Sequence, residues 1–376
     1  MMPPVFRKLA FNLVGLAVLG ALAGCADSEA PPPAAFKVGA TQRSVAAPEP
    51  YDWRGARTHA LVTAVWYPAD ASADEQPLLF GPPGQPPILA GGKAAAAAPI
   101  APAPARFPLI VLSHGTGGTA QSLAWLGTAL AARGYVVAAV NHPGNNALEP
   151  YTAQGFSLWW LRARDVGIAI DAMLADPELG PRVDARRIGV GGFSLGGYTA
   201  IEVAGGVTSL LQFRAFCATA LDDIDCKSPP ERAGLRDQAA TLARSDPAYA
   251  AALNDAGKSY RDPRVHAVFA MAPALGPAVT TDSLRAIGIP VAIVAGEGDQ
   301  VVGTKTSAET YAAHMPHAEL TVLRGPVGHY VFVDGCTDAG RQTAASICVD
   351  APGVDRDTIH RKTLALALAF FADALR

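Results

Sequence analysis

The stretch GGFSLGG at residues 191–197 decides how this chain folds, because it follows the pattern G-x-S-x-G and joins a short apolar run to a helix-compatible segment, residues 198–204. A buried strand that turns sharply into a helix holds its serine in a strained backbone conformation and points the hydroxyl out of the turn. Gly192 and Gly196 fit this interpretation, because side chains there would collide where strand and helix approach each other. The stretch therefore predicts a nucleophilic Ser194 on a strand-turn-helix element.

A serine hydroxyl becomes an effective nucleophile only when a neighbouring base takes its proton and a third group orients that base. Downstream of the serine, the apolar run 289–296 predicts a buried strand whose following loop carries Glu297 and Asp299. After one more helix and strand comes a loop with His329. Serine, acid and histidine occur in this order in chains with such a turn. We predict Asp299 as the orienting acid, with Glu297 as its rival, and His329 as the base.

Acyl chemistry at a serine also needs backbone amides that stabilise a developing oxyanion. The residue after the nucleophile, Leu195, would supply one N–H. The apolar run 107–113 leads into the glycine-rich sequence HGTGG at residues 114–118, from which the N–H of Thr116 would supply the other. A phosphate-binding loop is the alternative for such glycines, but a lysine would be expected to follow and none does. We favour an oxyanion loop.

Three further residues are candidates for contact with a substrate. Gly115 lies in the glycine-rich loop, His142 follows a predicted strand, and Trp159 comes after the next loop. Trp159 fits a packed helix equally well. These positions all fall after the carboxyl ends of predicted strands, where ligands bind in parallel sheets.

Strand and helix patterns alternate along most of the chain, which predicts an α/β fold with a mostly parallel eight-stranded sheet flanked by helices. Residues 68–106 are rich in Pro, Gly and Ala and read as an irregular surface excursion. Residues 205–262 are too long for a simple connection. Their helix-compatible stretches predict a cap over the site, with a peripheral decoration as the alternative. Predicted strands lie near 37–45, 60–67, 108–113, 135–141, 187–193, 265–271, 290–295 and 319–323, and predicted helices near 119–133, 158–175, 195–204, 304–315 and 356–375.

The amino-terminal residues read as a targeting segment. A basic pair precedes an apolar core, residues 9–22, that is too short for an ordinary membrane span. The sequence LAGC at residues 22–25 resembles the lipobox of bacterial lipoproteins. That resemblance implies a signal peptide over residues 1–24 and a lipid on Cys25, with a plain secretory signal as the alternative. Residues 25–35 then form a tether, and 36–376 the folded domain.

Four more cysteines would lie outside the cytoplasm and suggest disulfides, with three possible connectivities. Short separations favour Cys217–Cys226 and Cys336–Cys348, and free thiols are the alternative. None has the spacing of a metal site. The net charge of −3 without a basic stripe argues against a nucleic-acid partner.

From residue 107 onward the chain resembles the α/β-hydrolase superfamily, and within it the predicted dienelactone hydrolases and bacterial relatives of platelet-activating-factor acetylhydrolases. The resemblance rests on LSHG at 112–115, NHPGN at 141–145, the serine turn and the carboxyl-terminal GH at 328–329. Two departures matter. Dienelactone hydrolases use a cysteine where this chain has Ser194. The acetylhydrolases carry their acid after the sixth strand, where this chain reads MAPA at 271–274.

These features together predict a serine esterase that works through an acyl-enzyme without cofactor or metal. Its substrates would be small-molecule, lipid or polymer esters, a cutinase-like polyesterase being one variant. A transacylase and a non-catalytic scaffold are alternatives of other classes. The lipid anchor would place the protein on a membrane of the bacterial cell envelope, at the periplasmic face or outer membrane, or release it as a secreted protein if the lipobox is not used.

Overall fold

A computed structural model describes residues 30–227 and 234–376 of the chain. The proposed signal peptide and Cys25 lie outside the described residues. No helix among the described residues is both long enough and apolar enough to cross a membrane.

The described residues form a central sheet of eleven strands. The apolar runs of its central strands are buried from both faces, as in parallel sheets covered by helices on each side. The strands are Lys37–Val45 (β1), Leu61–Ala69 (β2), Gln76–Phe80 (β3), Leu89–Ala96 (β4), Phe107–Ser113 (β5), Val136–Val140 (β6), Val183–Phe193 (β7), Val265–Met271 (β8), Val291–Gly296 (β9), Ala318–Leu323 (β10) and Gly335–Cys336 (β11).

The strand order is β10-β9-β8-β7-β5-β6-β2-β1-β4-β11, with β3 paired to β4. The six strands from β10 to β6 run parallel to one another, whereas β2 is antiparallel to both of its neighbours. Strand β1 runs parallel to β4, which is antiparallel to β3 and β11. The carboxyl ends of the six parallel strands therefore meet at one edge, where a ligand site is expected.

The prediction of an α/β sheet flanked by helices is confirmed, but the count of eight strands is wrong. Three strands were not predicted: the short β11, and β3 and β4, which lie in residues 68–106, where the composition predicted an irregular segment. Small residues in β4 permit a close approach of the first helix, since a Cβ on Gly91 would lie 2.4 Å from the Cβ of Ala124. A strand selected for small side chains lacks the branched and aromatic residues by which strands are recognised.

Helices cover both faces of the sheet, and the hydrophobic core lies in two layers. One layer contains Trp160, Ile170 and Tyr198, and the other contains Trp125 and Phe371. The helices are Ala124–Ala131 (α1), Ala153–Ser157 (α2), Arg162–Ala175 (α3), Leu195–Ala204 (α4), Leu210–Thr219 (α5), Leu235–Ser245 (α6), Pro247–Asn254 (α7), Thr281–Arg285 (α8), Thr310–His314 (α9), Asp338–Thr343 (α10), Ala345–Cys348 (α11) and Arg356–Ala374 (α12).

The described part of the insertion between α4 and β8 consists largely of α5, α6 and α7. The side chain of Gln212 on α5 donates to the carbonyls of Pro277 and Val279 at 2.9 and 3.0 Å. On α7, the hydroxyl of Tyr249 lies 2.6 Å from that of Ser157 at the end of α2. The insertion is thus fastened to loops that follow strand ends on the site's edge of the sheet, and its role as a cap stays a prediction.

Both disulfides favoured from the spacing are formed. Cys217 on α5 is bonded to Cys226, and Cys336 on β11 is bonded to Cys348 on α11. The first closes a local loop within the insertion, and the second joins two short elements near the edge strand β11.

Candidate active site

Ser194 lies at the turn between β7 and α4, with φ 57° and ψ −121°. A positive φ is strained for a residue with a side chain, so the surrounding structure must hold the turn in place. The strand and the helix meet very closely there. A Cβ on Gly192 would lie 2.1 Å from the carbonyl oxygen of Gly196, and a Cβ on Gly196 would lie 1.8 Å from that of Ser113. The two glycines are therefore required by the backbone packing on either side of the serine.

We expect Gly196→Ala to destabilise the protein by about 3 kcal/mol or more, because the added methyl group overlaps backbone atoms of β5 that have no freedom to retreat. Gly288→Ala is the matched control, since a Cβ at Gly288 would meet nothing within 4 Å. Its effect should stay within about 0.5 kcal/mol. Urea unfolding measures both. Native stability in the Gly196→Ala protein would show that strand and helix do not approach as described.

The three residues predicted to act together lie in hydrogen-bond contact. The Nε2 atom of His329 lies 2.9 Å from the hydroxyl of Ser194, and its Nδ1 atom lies 2.6 Å from Oδ2 of Asp299. Because an ionised carboxylate only accepts hydrogen bonds, Nδ1 carries the proton and Nε2 is free to accept one from the serine. The ring of Phe193 packs at 4.6 Å against that of His329. This geometry allows His329 to take a proton from the serine while Asp299 orients the ring.

The structure also separates Asp299 from its rival. Oδ1 of Asp299 accepts from the amides of Val301 and Val302 at 2.8 and 2.9 Å, which leaves Oδ2 directed at His329. Glu297 points elsewhere and accepts from the amide of Gly325 and the guanidinium of Arg324 at 2.7 and 3.0 Å. These hydrogen bonds hold the pKa of Glu297 below its ordinary value.

The glycine-rich loop lies directly beside the nucleophile. A Cβ on Gly115 would lie 3.2 Å from the Cβ of Ser194, so the backbone of the loop approaches the serine as closely as the sequence predicted. Leu195 is the first residue of α4, and the first amides of a helix have no partner within it. The positions of Thr116 and Leu195 are thus compatible with two amides that converge on one oxyanion.

The loop is held by side chains that the sequence analysis did not assign. Oδ1 of Asn145 accepts from the amide of Gly117 at 2.7 Å, and Oδ1 of Asn141 accepts from the amide of Ala120 at 2.8 Å. The hydroxyl of Tyr151 donates to the carbonyl of Gly117 at 2.9 Å. The sequence signal was present in the polar run that follows β6, because asparagine side chains there can replace backbone partners in a loop.

Two predicted substrate contacts lie elsewhere. His142 is fully buried, and its ring nitrogens contact Ser113 at 2.8 Å and Asp165 at 2.7 Å. The prediction that it binds substrate is wrong, because a ring that is enclosed and bonded at both nitrogens has no atom left for a ligand. Trp159 is buried in the core, where it packs edge-to-face against Trp160 and Phe213. The structure supports the packing alternative for this residue.

A buried carboxyl group lies on the helix that follows the nucleophile. Glu202 accepts hydrogen bonds through Oε1 from Tyr198 at 2.7 Å and from Thr208 at 2.5 Å, while its Oε2 has no partner among the described residues. Burial raises its pKa from 4.5 to about 8, against the lowering effect of the two hydroxyl groups. The folded protein therefore keeps Glu202 protonated at neutral pH.

Since the unfolded chain releases this proton near pH 4.5 and the folded chain only near pH 8, Glu202 destabilises the fold progressively as the pH rises between these values. The side chain of Glu202→Gln stays neutral at every pH. We therefore expect the difference in unfolding free energy between this variant and the native protein to shift in favour of the variant by at least about 1 kcal/mol from mildly acidic to mildly alkaline pH. Urea unfolding at both pH values measures the difference. A pH-independent difference would contradict the buried, protonated state.

Comparison with known proteins supports the fold. The sequence model of platelet-activating factor acetylhydrolase, isoform II, matches residues 92–157, which include the glycine-rich loop. A solved ferulic acid esterase from Streptomyces cinnamoneus superposes with a TM-score of 0.57 at 21% identity, covering 93% of each chain. The chain has the α/β-hydrolase fold.

The chain is also similar in sequence to cutinases est1 and est2 of Thermobifida alba. Each is 36% identical over 100 residues, which make up 26% of this chain. The matched stretch spans 30% of each cutinase, so it compares part of the domain and not the whole enzyme.

Proposed function

We propose that this α/β-hydrolase is a serine esterase that cleaves carboxylic esters through an acyl-enzyme. One observation carries the proposal: the continuous hydrogen-bonded contacts from Asp299 through His329 to Ser194, beside a glycine-rich loop at the carboxyl edge of the sheet. A scaffold protein would have no need of this arrangement. The matches to an acetylhydrolase family, to cutinases and to a ferulic acid esterase support ester hydrolysis, because all of these names describe enzymes that act on esters.

In the proposed mechanism the hydroxyl oxygen of Ser194 attacks the ester carbonyl while its proton passes to Nε2 of His329. Asp299 stabilises the imidazolium that forms. The amides of Thr116 and Leu195 bind the oxyanion of the tetrahedral intermediate. Collapse of the intermediate expels the alcohol, which takes the proton from His329. A water molecule, activated by the same histidine, then attacks the acyl-enzyme and releases the acid.

A second proposal concerns the class of ester that the enzyme cleaves. Polymer and lipid esters are the main variants, supported by the partial similarity to cutinases and by the acetylhydrolase match. Kinship with the predicted dienelactone hydrolases is part of the proposal, but the lactone substrate in their name is not carried over, because Ser194 replaces their cysteine. A transacylase would use the same three residues and differ only in the nucleophile that takes the acyl group.

We also propose that the protein is exported and held on a membrane of the bacterial cell envelope by a lipid on Cys25. The proposal rests on the basic pair, the apolar core and the LAGC sequence of the amino-terminal segment. The two disulfides support an oxidising compartment. Radiolabelled palmitate incorporation that is lost in Cys25→Ala would support the anchor, and an unlabelled protein in the culture medium would favour plain secretion.

Hydrolysis of p-nitrophenyl esters from acetyl to palmitoyl, with the full chain in mild detergent, tests the proposed function. Turnover with an optimum at one acyl length would support an esterase and measure the depth of its acyl pocket. Polyester film and long-chain lipid esters, assayed in parallel, separate the two variants. A folded protein that cleaves none of these esters would contradict the proposal.

A further inference from the structure

The orientation of the Thr116 amide is set by the carbonyl of the preceding residue. The Gly115 carbonyl and the Thr116 N–H belong to one planar peptide unit, so the direction of one fixes that of the other. The oxygen of Gly115 accepts from Nδ1 of His114 at 2.6 Å and from the amide of Gly118 at 3.2 Å. The proposed oxyanion donor is therefore aimed through hydrogen bonds made on the other end of its own peptide unit.

His114 is itself fixed by two further hydrogen bonds. Its Nε2 atom accepts from the amide of His142 at 3.3 Å, which leaves Nδ1 as the protonated nitrogen that donates to Gly115. Burial, with the nearby charge of Arg162, keeps the pKa of His114 well below its ordinary value. The ring is thus neutral and in the one tautomer that satisfies both contacts.

The guanidinium of Arg162, on α3, contacts this loop from the interior of the protein. Its Nη2 atom donates to the carbonyl of His114 and lies 3.4 Å from the hydroxyl of Ser113, the last residue of β5. The Ser113 hydroxyl donates to Nε2 of His142 at 2.8 Å, and Nδ1 of His142 donates to Asp165 at 2.7 Å. The order of donors is the same as in the contacts among Ser194, His329 and Asp299. Ser113, His142 and Asp165 are fully buried, so no substrate can reach them.

The buried group also carries an excess of positive charge. Arg54 pairs with Asp165 at 2.6 Å, and the hydroxyl of Tyr51 donates to the same carboxylate. Arg162 makes no ion pair within 4 Å among the described residues, and its Nε and Nη1 atoms have no partner there. Although burial, opposed by Asp165, lowers its pKa to about 9, Arg162 remains cationic at neutral pH. Such a charge is costly to bury, which favours a functional reason for its presence.

We propose that Arg162 is a positioning residue for the oxyanion hole, and this inference rests on the proposed esterase function. By holding the carbonyl of His114 it fixes the start of the loop and, through His114, the peptide unit that presents the Thr116 N–H. Its positive charge lies on the buried side of the loop, where it stabilises the negative charge that forms on the substrate oxygen. The hydroxyl of Ser113, which contacts the guanidinium of Arg162, is itself held in place by its hydrogen bond to His142.

Steady-state kinetics of Arg162→Met and Arg162→Lys test the proposal. We expect Arg162→Met to lower kcat about 10²-fold with little change in KM, because a misplaced amide weakens binding of the transition state and not of the ground state. Arg162→Lys should recover part of the loss. Arg182→Met is the matched control: Arg182 donates to the carbonyls of Ala101, Pro104 and Ala105 at the opposite end of β5, and its loss should leave kcat within about threefold.

Amide hydrogen exchange gives a readout that needs no activity. The amides of Gly117 and Gly118 are hydrogen-bonded in the loop and should exchange faster in Arg162→Met than in the native protein, while those of β10 stay unchanged. Faster exchange in a protein that cleaves no ester would support the positioning role while the esterase function fails. Native kcat and native exchange in a folded Arg162→Met protein would overturn the inference. If Arg162→Met does not fold, Ser113→Ala takes its place. We expect a smaller loss of kcat in this variant. An unchanged kcat would overturn the inference.

Discussion

Ser194→Ala is expected to lower kcat for ester hydrolysis by about 10⁵-fold, because the variant has no oxygen that can form the acyl-enzyme. KM should change little, since the hydroxyl contributes little to ground-state binding. The serine lies 2.9 Å from His329 at the turn between β7 and α4, so the substitution removes the reacting atom without altering the packing of the turn. Initial rates on the best p-nitrophenyl ester measure the loss.

Ser245→Ala, which removes an exposed hydroxyl on α6, is the control and should keep native kcat. A small residual rate in Ser194→Ala is compatible with stabilisation of the oxyanion by the remaining amides. Retention of more than about one tenth of the native kcat would contradict a serine nucleophile at this position.

Asp299→Asn is expected to lower kcat by about 10⁴-fold. An amide can donate to Nδ1 of His329, which favours the tautomer with its proton on Nε2 and so removes the base that Ser194 requires. The carboxylate also stabilises the imidazolium at 2.6 Å, and the amide cannot. The loss should appear in kcat, because the interaction strengthens as the transition state forms.

Glu297→Gln is the matched control, two residues away on the same loop. Its carboxylate contacts Gly325 and Arg324 and not the histidine, so kcat should stay within about threefold of the native value. A large loss in Glu297→Gln with native activity in Asp299→Asn would reverse the assignment of the acid.

The sequence was informative wherever the function depends on local geometry. The serine turn needs glycines at fixed offsets, and the acid and base follow recognisable strands, so these positions could be predicted from motif and chain order. The sequence favoured Asp299 over Glu297 as the acid but did not decide between them. The amides of Val301 and Val302 that fix Asp299 come into place only when the loop folds.

The remaining differences arise from contacts between residues far apart in the chain. A histidine after a strand looks the same in the sequence whether it faces a ligand or the interior. His142 faces the interior, where its Nδ1 donates a hydrogen bond to Asp165 on α3. The role of Arg162 could not be predicted from the sequence either, because its contact with the carbonyl of His114 joins residues far apart in the chain. Strand β4 was missed because its small residues serve contact with α1, and composition alone does not distinguish such a strand from a flexible segment.

The most direct test of the central claim is covalent labelling of the native protein with a p-nitrophenyl phosphonate, which reacts fastest with an activated serine beside an oxyanion hole. Intact mass followed by peptide mapping should find one phosphonyl group per chain, on the peptide that contains Ser194, and none in Ser194→Ala. A native protein that is folded but stays unlabelled, or a label on another residue, would contradict the proposal that Ser194, His329 and Asp299 form a working nucleophilic site.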